Sequence, residues 1–214
     1  MMRMTANKPA ALLFAWLFCL VFAPWGGAAE AKDPETSTEA PRALVAQTVR
    51  QVLGVLGEPD LDDAQRRARI EALAFTVFDF KTMGKLVLAR NWKKLDKQQR
   101  VIFIDEFKQY LSRNYGSRLE RYEKAEVEVL GARVEPRNDV TVLTRVVGSQ
   151  YDGISMNYRL RERKGEWKVI DIVVEGVSML ANFRGQFSEV ISREGVDGLL
   201  NAIRERNAEP DPNT

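Results

Sequence analysis

The chain has 214 residues, with 32 Lys or Arg, 30 Asp or Glu, one cysteine and no histidine. The lack of histidine excludes the usual general base, the commonest metal ligand and every nucleophile that is activated by a histidine partner. The near balance of basic and acidic residues also argues against a nucleic-acid-binding protein, which would carry a basic excess.

The first 29 residues have the pattern of a secretory signal peptide. Arg3 and Lys8 precede an almost wholly apolar stretch at residues 10–23, and small residues follow it. This stretch has about 14 residues, fewer than the roughly 20 that a membrane-spanning helix needs. Cys19 lies within it, and cleavage would remove two basic and no acidic residues, leaving a formal charge of zero and no thiol. We therefore expect a secreted protein without disulfides or thiol chemistry.

The rest of the chain is predicted to form one domain between two flexible segments. Residues 30–41 combine acids, hydroxyl residues and prolines with little to bury, and residues 207–214 form a similar tail. Residues 42–206 contain no linker and no internal repeat, and Pro136 is the only proline between residues 61 and 209. It lies in a polar stretch that predicts a turn inside a single domain.

Apolar residues at intervals of three and four predict helices in the N-terminal half of this domain. One stripe spans residues 45–56, and a second spans residues 70–77 after Asp62, a candidate N-cap. A further helix is expected after Thr82, with Gly84 inside it. A glycine in a helix interior costs about 1 kcal/mol relative to alanine, so we expect this segment to bend or move.

A long helix is predicted next, and the pattern then changes to alternation. Asp96 and Gln99 form a candidate capping box, and the apolar stripe that follows spans residues 101–122. Helical spacing returns near the C-terminus at residues 180–191 and 196–203. Between these helices, apolar and polar residues alternate, as is typical of half-buried strands.

Four strands are predicted in the alternating region. They are expected around residues 127–129, 140–146, 154–160 and 167–174, and the dipeptide at residues 164–165 would join the last two as a hairpin. The order of elements predicts an α+β domain with a mostly helical N-terminal half. We expect a curved antiparallel four-stranded sheet with several helices on one face.

Few residues point to catalysis. Ser178 follows a glycine but lacks the flanking glycines of a nucleophile elbow, and no glycine-rich phosphate loop is present. Asp171 and Glu175 are four residues apart on a predicted strand, so they share a face and could serve as an acid and a base. The alternative is a solvated charge ladder with Arg159 and Arg161 on the neighbouring strand.

Two segments resemble the MlaC family, also called toluene-tolerance or ABC-transporter auxiliary proteins. They are FDFKTMGKLVLARNW at residues 78–92 and WKVIDIVVEGVSMLANFRGQF at residues 167–187, in which a strand-like run passes through Gly176 into a helical stripe. Members of this family are periplasmic phospholipid carriers. The resemblance implies a cone-shaped sheet of the nuclear-transport-factor type that encloses an apolar cavity for acyl chains. It also implies a periplasmic location.

The resemblance, together with the apolar stripes, gives a set of candidate lipid-binding residues. Those within the two matching segments are Phe78, Met83, Leu86, Val87, Ile172, Val174, Val177, Met179 and Phe183. Those added by their position in a stripe are Phe103, Phe107, Tyr115 and Tyr158. On sequence grounds alone, large apolar residues such as these are core residues, since a domain of this size needs a core.

The sequence pattern at residues 167–174 does not decide which face of this strand lines the cavity. One choice turns Ile170, Ile172 and Val174 inward, and the other turns Val169, Asp171 and Val173 inward. The second choice would bury Asp171, a carboxylate that would then need partners.

The resemblance further implies a role and partners. The implied role of the protein is to carry phospholipid between membranes and so to maintain the lipid asymmetry of the outer membrane. The implied partners are an inner-membrane ABC transporter complex with its periplasmic substrate-binding subunit, and an outer-membrane lipoprotein or porin complex. We expect a monomer that uses no metal or cofactor, since the bound phospholipid is cargo. Two alternatives remain, an enzyme that uses Asp171, Glu175 or Tyr158 on a small apolar substrate, and a carrier of lipoprotein acyl chains.

Overall fold

The computed structural model has an α+β fold and describes residues 34–119, 125–148 and 150–209. These residues belong to one compact unit. The predicted signal peptide and the end of the predicted tail, residues 210–214, lie outside the described residues. No helix within the described ranges is both long enough and apolar enough to cross a membrane.

Five α-helices and five strands are found among the described residues. The helices are α1 Pro34–Leu56, α2 Asp63–Val77, α3 Phe80–Leu88, α4 Lys97–Leu119 and α5 Met179–Ala208. The strands are β1 Glu126–Val134, β2 Val140–Val147, β3 Met156–Arg163, β4 Glu166–Val174 and β5 Val177–Ser178. The 3-10 segment Ala89–Lys94 joins α3 to α4, and a second one, Pro136–Asn138, joins β1 to β2.

The predicted N-cap at Asp62 and the predicted capping box at Asp96 are confirmed, and Asp62 also forms a capping box. The Asp62 carboxylate accepts the N–H of Gln65 at 2.8 Å, and the Gln65 side chain accepts the N–H of Asp62 at 3.2 Å. Asp96 and Gln99 exchange the same pair of hydrogen bonds at 2.8 and 3.0 Å. Each box satisfies donors that a helix N-terminus leaves without an intrahelical partner, so α2 and α4 begin where their sequences predict.

The helical part of the chain extends further at both ends than predicted. Residues 34–41 are helical in α1, in contrast to the predicted flexible segment, and Thr38 is buried there. Helix α5 continues to Ala208, because the Asn207 amide donates to the backbone oxygen and the carboxylate of Glu106 at 3.0 and 2.9 Å. The two predicted C-terminal stripes are parts of α5, which bends at Gly195, where φ is 75°.

The sheet is an antiparallel meander with the order β1-β2-β3-β4-β5. The predicted hairpin between β3 and β4 is confirmed, with Arg163 opposite Glu166. The sequence prediction of four strands missed β5, because its two residues form too short a run to show alternation. Strand β5 pairs Val177 with Val174 immediately before α5 begins.

The core consists of two clusters. The first is a helical core of aromatic and aliphatic residues from α3, α4 and α5, in which Phe103 stacks on Phe107 with ring centroids 5.5 Å apart. The edge of Phe187 meets the Phe107 ring at 5.9 Å. The second cluster joins α1 to the sheet, with Val45 near Val142 and other strand residues. Close packing of this kind fixes the positions of the helices.

Gly84 has a packing role in α3, and the helix runs through it without interruption. A Cβ atom added at Gly84 would lie 3.3 Å from a ring carbon of Phe103 and 3.5 Å from one of Trp92. The prediction that this glycine bends the segment is therefore wrong. Glycine allows close approach of α3 to the rings instead, at the cost of some helix propensity.

We expect Gly84→Val to lower the free energy of unfolding by about 1–3 kcal/mol, because the added methyl groups would overpack the contact with Phe103. Gly185→Val is the matched control, since Gly185 is an exposed residue of α5 with nothing within 4 Å of its Cβ position. It should change stability by less than about 0.5 kcal/mol. Urea unfolding of both variants measures the difference, and equal effects would contradict the packing role.

Candidate functional site: an apolar cavity

A cavity of about 510 Å³ lies among the helices and the inner side of the sheet. Its walls come from α1, α2, α3 and α4, from all five strands and from the start of α5, and members of both core clusters line it. Most of the lining residues are aliphatic or aromatic. The volume falls within the range of about 300–1,000 Å³ that is common for small-molecule and cofactor sites.

Eight of the thirteen candidate lipid-binding residues line this cavity. They are Phe78, Met83, Tyr115, Tyr158, Ile172, Val174, Val177 and Met179. The structure therefore brings together most of the candidates from the two segments that resemble the MlaC family. Contact of these side chains with a lipid stays a prediction.

The other five candidates do not line the cavity. Leu86, Val87, Phe103, Phe107 and Phe183 belong to the helical core or pack against it. The reason is the geometry of α4, which is covered on two sides. Phe103 and Phe107 pack in the helical core with residues of α3 and α5, whereas Lys108, Ser112 and Tyr115, farther along α4, line the cavity. A single apolar stripe in the sequence could not separate these two surfaces.

The lining also contains residues that the sequence did not single out as lipid contacts. Helix α1 contributes one face, and α2 contributes another that includes Ile70, Ala74 and Phe75. The sequence predicted both stripes as ordinary packing faces. A stripe that faces a cavity has the same periodicity as a stripe that faces a core, so the sequence carries no signal that would separate them.

A bulge in β4 explains why neither choice of strand face was correct. Arg159 is opposite Asp171, but the next pair along β3 joins Leu160 to Val169, so Ile170 is an extra residue on β4. An extra residue reverses the alternation of side chains beyond it. Val169 on one side of the bulge and Ile172 on the other therefore both line the cavity.

Asp171 is 2% exposed and is held by three partners, which explains its burial. It accepts hydrogen bonds from the Ser178 hydroxyl at 2.6 Å and from the backbone N–H of Leu180 at 3.2 Å. The Arg159 guanidinium lies 3.6 Å from the same carboxylate. Ser178 also accepts the N–H of Ala181 at 3.0 Å as the N-cap of α5. Asp171 thus fixes the start of α5 to the middle of β4.

The three side chains considered for catalysis are not gathered around the cavity. Tyr158 lines it, and its hydroxyl donates to the Met156 sulfur at 3.3 Å, but Asp171 and Glu175 are not lining residues. The exposed Glu175 carboxylate instead accepts the backbone N–H of Ser155 at 2.5 Å. Both carboxylates therefore hold backbone and hydroxyl groups of the fold in place.

Charged groups in the cavity wall lie on two helices. Arg67 and Glu71 belong to α2, and Lys108 belongs to α4. The Ser112 hydroxyl of α4 donates to the Glu71 carboxylate and so joins the two helices. The Lys108 ammonium lies 5.6 Å from the ring centre of Phe75, close enough for a cation–π interaction. Among the described residues, no group of three or more His, Cys, Asp or Glu side chains could hold a metal ion.

We expect Asp171→Ala to lower the free energy of unfolding by about 2–4 kcal/mol, because it leaves the buried N–H of Leu180, the part-buried hydroxyl of Ser178 and the Arg159 guanidinium without this partner. Asp105→Ala is the control, since Asp105 is an exposed acid whose ion pair with Lys108 is 3.7 Å long. Its loss should cost less than about 0.5 kcal/mol. Chemical denaturation compares the two, and a small effect at Asp171 would contradict its anchoring role.

The comparisons with known proteins match this architecture. The sequence fits the family described as MlaC protein over residues 46–205. The chain belongs to the MlaC family. The family resemblance inferred from the two segments is therefore confirmed.

Two curated relatives and one solved structure are similar to this MlaC-family chain. The intermembrane phospholipid transport system binding protein MlaC of Haemophilus influenzae is 23% identical over 133 residues, covering 59% of this chain and 61% of the relative. The toluene tolerance protein ttg2D of Pseudomonas putida is 25% identical over 171 residues, covering 75% of this chain and 77% of the relative.

The solved structure is a phospholipid-binding protein from Ralstonia solanacearum in complex with a phospholipid. It is 29% identical to this chain, with a TM-score of 0.70, over 78% of this chain and 96% of that protein. This likeness supports the α+β fold described above and extends over nearly all of the Ralstonia protein.

Proposed function

We propose that this protein is a phospholipid carrier that shelters acyl chains in the cavity. The observation that carries the proposal is the cavity of about 510 Å³, whose mostly apolar lining includes eight of the thirteen candidate lipid-binding residues. Membership of the MlaC family and the likeness to a phospholipid-bound structure support the same role. In this proposal the lipid is cargo, and the protein performs no chemical step on it.

The energetics favour an apolar carrier for such cargo. Two acyl chains contain about 30 methylenes, and their exposure to water would cost on the order of 25 kcal/mol at ~0.8 kcal/mol each. Free lipid would therefore cross an aqueous compartment at a negligible rate. A pocket that is nearly as apolar as a bilayer removes most of this cost, so that uptake and release stay close to balance.

The proposal also covers where the protein works and which complexes it exchanges lipid with. We infer that the secreted chain works in the periplasm and carries lipid between an inner-membrane ABC transporter complex and an outer-membrane complex, which would maintain outer-membrane asymmetry. The predicted signal peptide supports secretion. The name of the Haemophilus influenzae relative, which refers to intermembrane transport, supports transfer between two membranes.

Native mass spectrometry of the purified secreted chain tests the carrier role. We expect a mass increment that dissociates as intact diacyl phospholipid, and lipid extraction should identify the same species. Bound protein acyl chains would instead favour a lipoprotein carrier. A protein that binds no lipid, either as purified or after incubation with phospholipid vesicles, would contradict the proposal.

We expect Ala74→Trp to lower the phospholipid content of the protein by at least about half, because the indole would occupy space in the cavity. Ala74 lines the cavity from α2, whereas Ala72 is an exposed residue of the same helix. Ala72→Trp is therefore the matched control and should leave the lipid content unchanged. Quantitative lipid extraction and thermal melts measure both variants. Equal lipid contents would argue that this part of the wall does not contact cargo.

A further inference from the structure

The turn between β4 and β5 is both part of the protein surface and part of the cavity wall. Val177 lines the cavity and is 64% exposed, and Val174 lines it and is 36% exposed. Single exposed valines are common on protein surfaces and need no explanation. Here the two valines are paired across the hairpin and continue an apolar wall outward to the solvent.

The geometry of the turn keeps these valines exposed. Glu175 and Gly176 both have positive φ, at 48° and 78°, as in the tight two-residue turns that suit a hairpin. The N–H of Glu175 donates to the Ser155 carbonyl at 2.9 Å, and the N–H of Ser155 donates to the Glu175 carboxylate at 2.5 Å. The turn is therefore tied to the start of β3, and the two valines that flank it have a defined position.

The wall behind the turn is apolar and adaptable. Met156, the first residue of β3, and Met179, the first residue of α5, also line the cavity. Methionine side chains are unbranched and flexible, so they can adjust to a passing chain. The charged lining residues belong to α2 and α4 and not to this edge of the sheet. In β4, β5 and the start of α5 the lining has no charged side chain, and its polar members there are Ser178 and Asn182.

We propose that the Val174–Val177 turn is the entrance through which acyl chains of membrane phospholipids pass into the cavity. The inference rests on the proposed carrier function and adds the route and the membrane surface that it faces. Lipid suits the site better than a docked protein, because two valines offer far less area than the roughly 1,200 Å² that a stable protein interface buries.

Lipid uptake from vesicles by the delipidated secreted chain tests the entrance. The vesicles would contain phosphatidylethanolamine and phosphatidylglycerol with a trace of fluorescent phosphatidylethanolamine. We expect Val177→Asp to slow uptake by roughly fivefold or more, because each apolar chain would have to pass a charged group that holds water. Val177→Leu keeps an apolar side chain at this position and should slow uptake much less than Val177→Asp.

Val101→Asp is the matched control, because Val101 is 61% exposed on α4 and does not line the cavity. It should leave the uptake rate unchanged. Equal rates for Val177→Asp and Val101→Asp, with normal lipid content at equilibrium, would overturn the entrance and leave the carrier function standing. Failure of the wild-type chain to take up any lipid would overturn both.

A fluorescence measurement covers the case in which Val177→Asp does not fold. The sequence has one cysteine, in the predicted leader, so a single cysteine can be introduced into the secreted chain and labelled. A polarity-sensitive dye on V177C should shift to the blue when vesicles are added, and the same dye on V101C should not. Identical responses at the two positions would overturn the entrance.

Discussion

An apolar cavity stays open only if its walls are held from behind, because apolar side chains otherwise close on one another. Helix α4 meets this requirement. On one side Phe103 and Phe107 are fully buried against α3 and α5, and on another side Ser112 and Tyr115 face the cavity. A shift of α4 into the cavity would open voids around the stacked rings, at a cost of several kcal/mol for aromatic residues. The solid helical core therefore preserves the hollow beside it.

The sheet side of the cavity depends on the bulge in β4 in the same way. The extra residue, Ile170, turns Val169 and Ile172 to one side and Asp171 to the other. A regular strand could not turn Val169 and Ile172 to the same side, because its alternation would place them on opposite faces. One irregularity therefore completes the apolar wall and also positions the carboxylate that anchors α5.

The sequence was sufficient wherever a local pattern determines the structure. The N-cap at Asp62 and the capping box at Asp96 depend on residues within one helical turn, and the β3–β4 hairpin depends on a two-residue turn, so all three could be predicted. The bulge at Ile170 depends on how two strands pair, and the division of α4 between a core and a cavity depends on which helices surround it. These features depend on tertiary structure, so the sequence predicts Phe103 and Phe107 as lipid contacts although they lie in the core.

In the proposed carrier role, the exposed parts of the cavity wall also affect the balance between uptake and release. Phe75 is 45% exposed and Val177 is 64% exposed, so the empty protein keeps apolar lining in contact with water. At about 25 cal/mol per Å², covering this lining contributes to uptake, and uncovering it opposes release. The two exposed sites are chemically different, because Phe75 lies beneath the Lys108 ammonium whereas Val177 is paired with another valine. An acyl chain that passed Val177 would not displace an ammonium from an aromatic ring, and this difference favours the valine edge as the proposed entrance.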